Sequence, residues 1–392
     1  MADGNPPAPK TTWSSFLSQI YLTDRRPVNG SYDYRAVEEK AREVTKDYHA
    51  AFLYTYGTAG SGNTNRSNLE ALQQWRIIPR VQGILHKDGE LATASAASSV
   101  GVPYILSTSS SRSIEAVAKA NGDGHRWYNY TGRAKAAGFT TLVVTLDTTV
   151  VGWWPADLNT AYLLFAAGVG IQVGTSDPVF TKRIGAPVRP DERPAFPLDQ
   201  EAFRVRLAGG DKQTVATFKL VTGWLDEIDS GLFHTWEDLK FLRANWDGPI
   251  VLKGIQTVDD AHAAMDARMD GIVVSNHGGR QVDGAISSFS SLEKITASSR
   301  VLRAQKKGTF TVLFDSGIRQ GSDVIKAIAM GAQGVFIGRP FMYGLAIAGE
   351  QGVEEVLRSI LAETEITLGL SGYKSIEEIW AKRGAILEKA DT

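Results

Sequence analysis

The chain has 392 residues, 43% hydrophobic and 22% charged, enough for one large barrel-type domain or two ordinary ones. Its formal net charge of −1 leaves no overall field to attract nucleic acid or an anionic membrane, and with no cysteine it has no disulfide, thiolate nucleophile or cysteine metal site. The start, MADGNPPAPKTTW, lacks the apolar core of a secretory signal and the end, LEKADT, is no peroxisomal address, so a cytoplasmic protein with no membrane span, metal or nucleic-acid partner is expected.

Residues 1–30 read as a flexible N-terminus. A charged helical pattern covers 34–48 and leads into the apolar stretch 50–56. Gly57, Gly60 and Gly62 then form a turn, and 65–75 reads as a helix with Leu69 and Leu72 on one face. From about residue 100 strands and helices alternate. Strand 103–107 (PYILS) is followed by helix 113–120, by RWYN as a short candidate strand, and by strand 140–146 (TTLVVTL). Residues 147–210 are rich in Gly and Pro and too long for an ordinary loop, so they read as an irregular lid or interface element. Thr235 followed by Asp238 opens a helix over 235–244.

The second half is more regular. Strands are expected at 249–253, 271–275, 310–315 and 334–338, with helices at 258–267, 322–330 and 344–348. Such alternation means parallel β/α units. A doubly wound sheet is the alternative, but no glycine-rich phosphate loop follows an early strand. The expected fold is therefore α/β, a (β/α)8 TIM barrel over 31–385 with N-terminal helices, a lid at about 147–210 and a short tail at 386–392. Six strands are clear and RWYN makes a seventh, whereas closure needs eight. Either an N-terminal segment completes the barrel, or it is incomplete and exposes sheet edges.

Polar residues cluster at the strand ends, where a barrel keeps its active site. His277, in SNHGGRQ, can exchange a proton near neutral pH, and Arg280 can hold a carboxylate through two donors. A His beside Gly-Gly is often only structural; here the strand end and the neighbouring Arg favour chemistry. Lys253 ends an apolar strand and needs a negative partner there, unless it reaches out to the rim. The stretches Asp315-Ser316-Gly317-Ile318-Arg319 and Gly338-Arg339 close neighbouring strands and suit a phosphate, two rim salt bridges being the plainer reading.

The stretches SNHGGRQVDG and DSGIRQGSDVIKAIAMGAQGVFIGRP resemble those of the FMN-dependent 2-hydroxy-acid oxidase and dehydrogenase family. VTLDTTVVGWWPADL, TSDPVF and the long lid are most similar to its lactate 2-monooxygenase branch. The resemblance implies FMN as cofactor, a small L-2-hydroxy acid and oxygen as reactants, and a homo-oligomer, in that branch a tetramer. It also implies roles for single residues. His277 would take the substrate proton, Arg280 would bind the carboxylate and Tyr54 would contact the substrate. Lys253 would lie by the flavin ring, which Ser107, Thr145 and Ser275 would touch. Asp315, Gly317, Arg319, Gly338 and Arg339 would hold the ribityl chain and phosphate, and Asp283 would order the catalytic loop.

The chain departs from the family pattern in four places. Around Arg80-Val81 the first barrel strand and its turn are missing, with no substitute strand between Trp75 and Pro103. After HRWYNY, only two helical turns fit before the next strand. Trp154 stands where the family has a second carboxylate-binding arginine, and Ser61-Gly62 where it usually has an acidic pair. These departures set a second expectation beside the first: a catalytically impaired or non-catalytic relative.

Overall fold

The computed structural model describes residues 27–389, apart from 74–84, 129–131, 151, 161–162, 191, 229 and 233, together with Phe16 and Ile20. At its centre is a seven-stranded parallel sheet in strictly sequential order. The strands are β1 (Tyr104–Leu106), β2 (Arg126–Tyr128), β3 (Thr141–Thr145), β4 (Ile250–Ile255), β5 (Gly271–Val274), β6 (Thr311–Phe314) and β7 (Gly334–Val335). The six clear strands and the seventh candidate are all present. β1 and β7 are the two edges, so among the described residues the sheet is an open, incomplete barrel. The Arg80-Val81 junction lies outside the described residues. Between residue 85 and Pro103 the chain forms the helix Glu90–Val100 rather than a strand.

Strand β5 is buried on both faces, as a parallel strand covered by helices must be. Its outward side chains, Ile272 and Val274, join Leu252, Val312 and Phe314 in the largest core cluster, beneath the helices Val258–Asp266, Ser288–Ala297 and Gly321–Met330. Each such side chain contributes roughly 1.5–3 kcal/mol by burial. Inward, Val251, Val273 and Leu313 pack with Trp127 and Phe336. The rings of Trp127 on β2 and Phe336 after β7 meet edge to face at 6.0 Å, which shows how far the sheet curls.

The β2–β3 crossover uses the five-residue helix Gly132–Ala136, as short as the sequence requires, with residues 129–131 outside the description. The 147–210 segment is less irregular than expected. It holds the short helices Pro155–Thr160, Leu164–Ala167, Gln172–Thr175 and Pro178–Ile184, then Gln200–Ala208. Gly168 ends Leu164–Ala167 and Gly185 ends Pro178–Ile184 in the left-handed conformation, and Asp177 caps the start of the latter. Pro155–Thr175 is apolar enough by composition for a membrane span, but it is divided among three of these helices and 62% of it is buried. Leu164, Phe165 and Ile171 pack with Leu220, Val221 and Leu345.

The helix expected at 344–348 is part of Arg339–Leu370, kinked where Ala348 and Gly349 leave helical geometry. It carries the buried Glu355, which accepts the backbone N–H groups of Val28 (2.9 Å) and Asn29 (2.9 Å). The described part of the stretch expected to be flexible is thus held in place. The rest of 1–26 lies outside the description save Phe16 and Ile20, as do 390–392.

Candidate active site

Strand register decides which side chains face the hollow of the sheet. Thr145 pairs with Lys253, Lys253 with Val273, and Val273 with Leu313. Because side chains alternate, Thr145 and Lys253 share the concave face, and Ser275 and Asp315 follow two residues beyond Val273 and Leu313. Ile105 pairs with Trp127, which puts Ser107 on the same side by the same count. Five residues proposed from sequence to meet the cofactor therefore lie on one surface, at its carboxyl end. The Lys253 ammonium is mostly buried, 3.6 Å from the fully buried Asp315 carboxylate. Neither Lys253 Nζ nor Asp315 Oδ2 makes a hydrogen bond within the protein, so this surface suits a polar ligand.

Asp147, just beyond β3, and His277, just beyond β5, meet across the mouth of the sheet with Oδ1 and Nδ1 2.6 Å apart. An ionised carboxylate can only accept, so Nδ1 carries the proton and Nε2 presents its lone pair. Gly254 makes room for this pair: a Cβ there would stand 2.9 Å from the Asp147 carboxyl carbon. His277 itself has φ 54, a left-handed backbone uncommon for a residue with a side chain. Its N–H donates to Ser275 Oγ at 3.0 Å. Asp147 was missed from the sequence, although its place at the end of an apolar strand was the signal that singled out Lys253.

Arg280 is completely buried. Its Nη1 donates to the carbonyls of Tyr54 (2.5 Å) and Gly57 (2.9 Å) at the end of the helix His49–Tyr56. Its guanidinium lies 4.1 Å from the Trp154 ring centre and 5.1 Å from that of Tyr54. A desolvated contact of this kind is worth about 2 kcal/mol. The structure thus brings His277, Arg280, Tyr54, Asp147 and Trp154 into one neighbourhood.

A polar clasp holds the loop that carries His277 and Arg280. Asp283 accepts from Ser61 N (2.8 Å), Ser61 Oγ (2.8 Å) and Thr64 N (3.0 Å). Desolvation pushes its pKa up, and these hydrogen bonds outweigh that, leaving it below the ordinary carboxylate value. Asn68 and Asn276 exchange side-chain hydrogen bonds at 2.8 and 2.6 Å, next to His277. Ser61, in the Ser61-Gly62 stretch that stands where the family usually has an acidic pair, is thus the partner of an acid on the facing loop.

The loops after β6 and β7 carry the remaining residues. Ser316 (φ 89) and Gly317 (φ 108) make a tight turn after Asp315. The Arg319 N–H donates to Asp323 at 3.1 Å. Gly338 precedes the helix that begins at Arg339. Arg339 donates to the carbonyls of Thr55 (3.1 Å), Tyr56 (3.2 Å) and Gly57 (2.9 Å) at the end of the His49–Tyr56 helix, and to the side-chain oxygen of Asn65 (3.5 Å).

A model of the FMN-dependent dehydrogenase family matches residues 81–386. The chain belongs to this family. FMN is therefore its cofactor, and oxidation of a 2-hydroxy acid is the activity its relatives share. It is 39% identical over 383 residues to the FMN-dependent alpha-hydroxy acid dehydrogenase qulF of Penicillium citrinum, covering 87% of each chain. To L-lactate oxidase of Lysinibacillus sphaericus it is 31% identical over 370 residues, with 83% of this chain and 86% of that one covered. Among solved structures it resembles mandelate oxidase with a TM-score of 0.67 and 30% identity, over 90% of this chain and 97% of the other.

Proposed function

We propose that this protein oxidises a small L-2-hydroxy acid, with lactate the first substrate to test and oxygen the electron acceptor. The observation that carries the reading is the Asp147–His277 pair, set beside Arg280 at the carboxyl end of the sheet. Bound FMN supplies the two-electron oxidant. Ser107, Thr145, Lys253 and Ser275 would contact its ring, with Asp315, Gly317, Arg319, Gly338 and Arg339 toward its ribityl chain and phosphate. His277 takes the substrate proton at Nε2, from Cα or from the hydroxyl, and Asp147 stabilises the resulting imidazolium. Arg280 holds the carboxylate and Tyr54 contacts the acid. Lys253 would place a positive charge beside the flavin ring. The lid that follows Asp147 governs how long the oxidised product stays, and so whether the outcome is oxidase or 2-monooxygenase; its length favours the latter. The reading takes the protein as a cytoplasmic homo-oligomer, a tetramer by resemblance.

A second reading, a catalytically impaired member, is favoured by the open sheet and by the uncharged Trp154 beside Arg280. An absorbance spectrum of the purified protein, taken before and after anaerobic L-lactate, separates the two. Flavin bands that bleach support the oxidase or monooxygenase reading, which oxygen uptake and product analysis then divide. Flavin bands that persist favour the impaired relative.

A further inference from the structure

Trp154 holds Arg280 at two points. Its ring lies against the guanidinium, 4.1 Å from the centroid, and its indole N–H donates to the backbone carbonyl of the same arginine. Tyr54 braces the indole edge-on, with centroids 5.6 Å apart and planes at 80°. The approach is tight: a Cβ on Gly152 would collide with the Arg280 carbonyl oxygen and with Trp154 Nε1. The Tyr54 and Gly57 carbonyls fix Nη1 as well, so the side chain and main chain of Arg280 are both restrained.

We infer that Trp154 is a positioning residue for the carboxylate grip of Arg280. This rests on the reading of Arg280 as the acid's anchor. An arginine left free to swing gives up much of its binding on being ordered by a ligand. Here the ring contact and the N–H···O=C bond order it beforehand. Trp154 adds no charge of its own, so its part in the grip is to hold the Arg280 guanidinium in place.

The test uses pyruvate, the oxidised form of the proposed substrate, titrated calorimetrically into the purified protein with its flavin content measured in parallel. Trp154→Phe keeps the ring face and loses the N–H. Trp154→Leu loses both. The expected order is a weakening of about threefold to tenfold for Phe and about a hundredfold for Leu, at unchanged flavin content. Leu binding pyruvate as the unsubstituted protein does overturns the inference, and so does an equal loss in both variants. If the Leu variant gives no soluble protein, the Phe variant decides, since unchanged affinity there overturns the inference. Absence of pyruvate binding in the unsubstituted protein also overturns it. A graded loss in protein whose flavin L-lactate fails to bleach upholds the role of Trp154 and overturns the proposed reaction instead.

Discussion

Arg280 and Arg339 donate to the same oxygen, the carbonyl of Gly57, each at 2.9 Å. One arginine follows β5 and the other follows β7, so the end of the His49–Tyr56 helix ties two strand-end loops together. Helix carbonyls at a C-terminus suit cations, which explains how two guanidinia are buried so close to one another. A side chain at position 57 would disturb both. A Cβ there would stand 2.7 Å from the Leu53 carbonyl oxygen, which is backbone and cannot swing aside. Gly57→Ala is expected to cost about 2 kcal/mol, as strained charge-assisted hydrogen bonds do. A thermal melt checks this, and an unchanged midpoint would show that the shared carbonyl adds nothing to stability.

The Asp147–His277 pair predicts a loss confined to turnover. Asp147→Asn can still accept the Nδ1 proton, so the imidazole keeps its orientation but loses the charge that stabilises its protonated form. The expected result is a fall in kcat of roughly 10²–10⁴-fold, with flavin content and fold retained. Steady-state oxygen consumption with L-lactate measures it. A variant within threefold of the parent would remove Asp147 from the mechanism.

Asp323 predicts a pH dependence of stability. It is buried, with Arg319 N–H and Lys326 nearby, and burial pushes its pKa from 3.8 up to about 6. The fold therefore binds this proton more tightly than the unfolded chain does. The associated stability is fully present below about pH 4 and is lost as pH rises through about 6. The loss amounts to roughly 3 kcal/mol at most. Asp323→Asn should remove it, so the variant gains on the parent as pH rises. Urea unfolding of both proteins at mildly acidic and neutral pH gives the comparison. Parallel curves would mean that Asp323 keeps an ordinary pKa.

Legibility followed the range of the interactions. The strands were readable because GIVVS is buried on both faces and TTLVVTL is buried at Thr141, Leu142 and Val143, and local composition alone reveals such runs. His277, Arg280 and Lys253 stood out because a polar residue ending such a run is conspicuous. The lid helices were not readable, since four to nine residues are too few to establish a helical period. Arg339–Leu370 was seen only in part because the kink at Ala348-Gly349 interrupts its pattern. The pairing of Asp147 with His277, of Asn68 with Asn276, and of Gly57 with two arginines joins residues far apart in the chain, and no spacing rule connects them.

The Lys253–Asp315 pair gives the last prediction. The two charges are 3.6 Å apart, Asp315 has no exposed side-chain surface, and Lys253 Nζ makes no hydrogen bond within the protein. Removing one member of a buried pair leaves the other uncompensated, at about 3–5 kcal/mol. Lys253→Met should therefore destabilise the protein by that order. The double variant Lys253→Met with Asp315→Asn should recover most of it, because no buried charge remains. Flavin binding separates the two uses of the lysine. If Lys253 serves the cofactor, both variants bind FMN at least about tenfold more weakly, a difference of about 1.4 kcal/mol, although only the single variant is unstable. Thermal melts with FMN titrations on the two proteins give both quantities. A double variant that regains stability and FMN affinity together would make the pair structural, and Lys253 would leave the list of cofactor-binding residues.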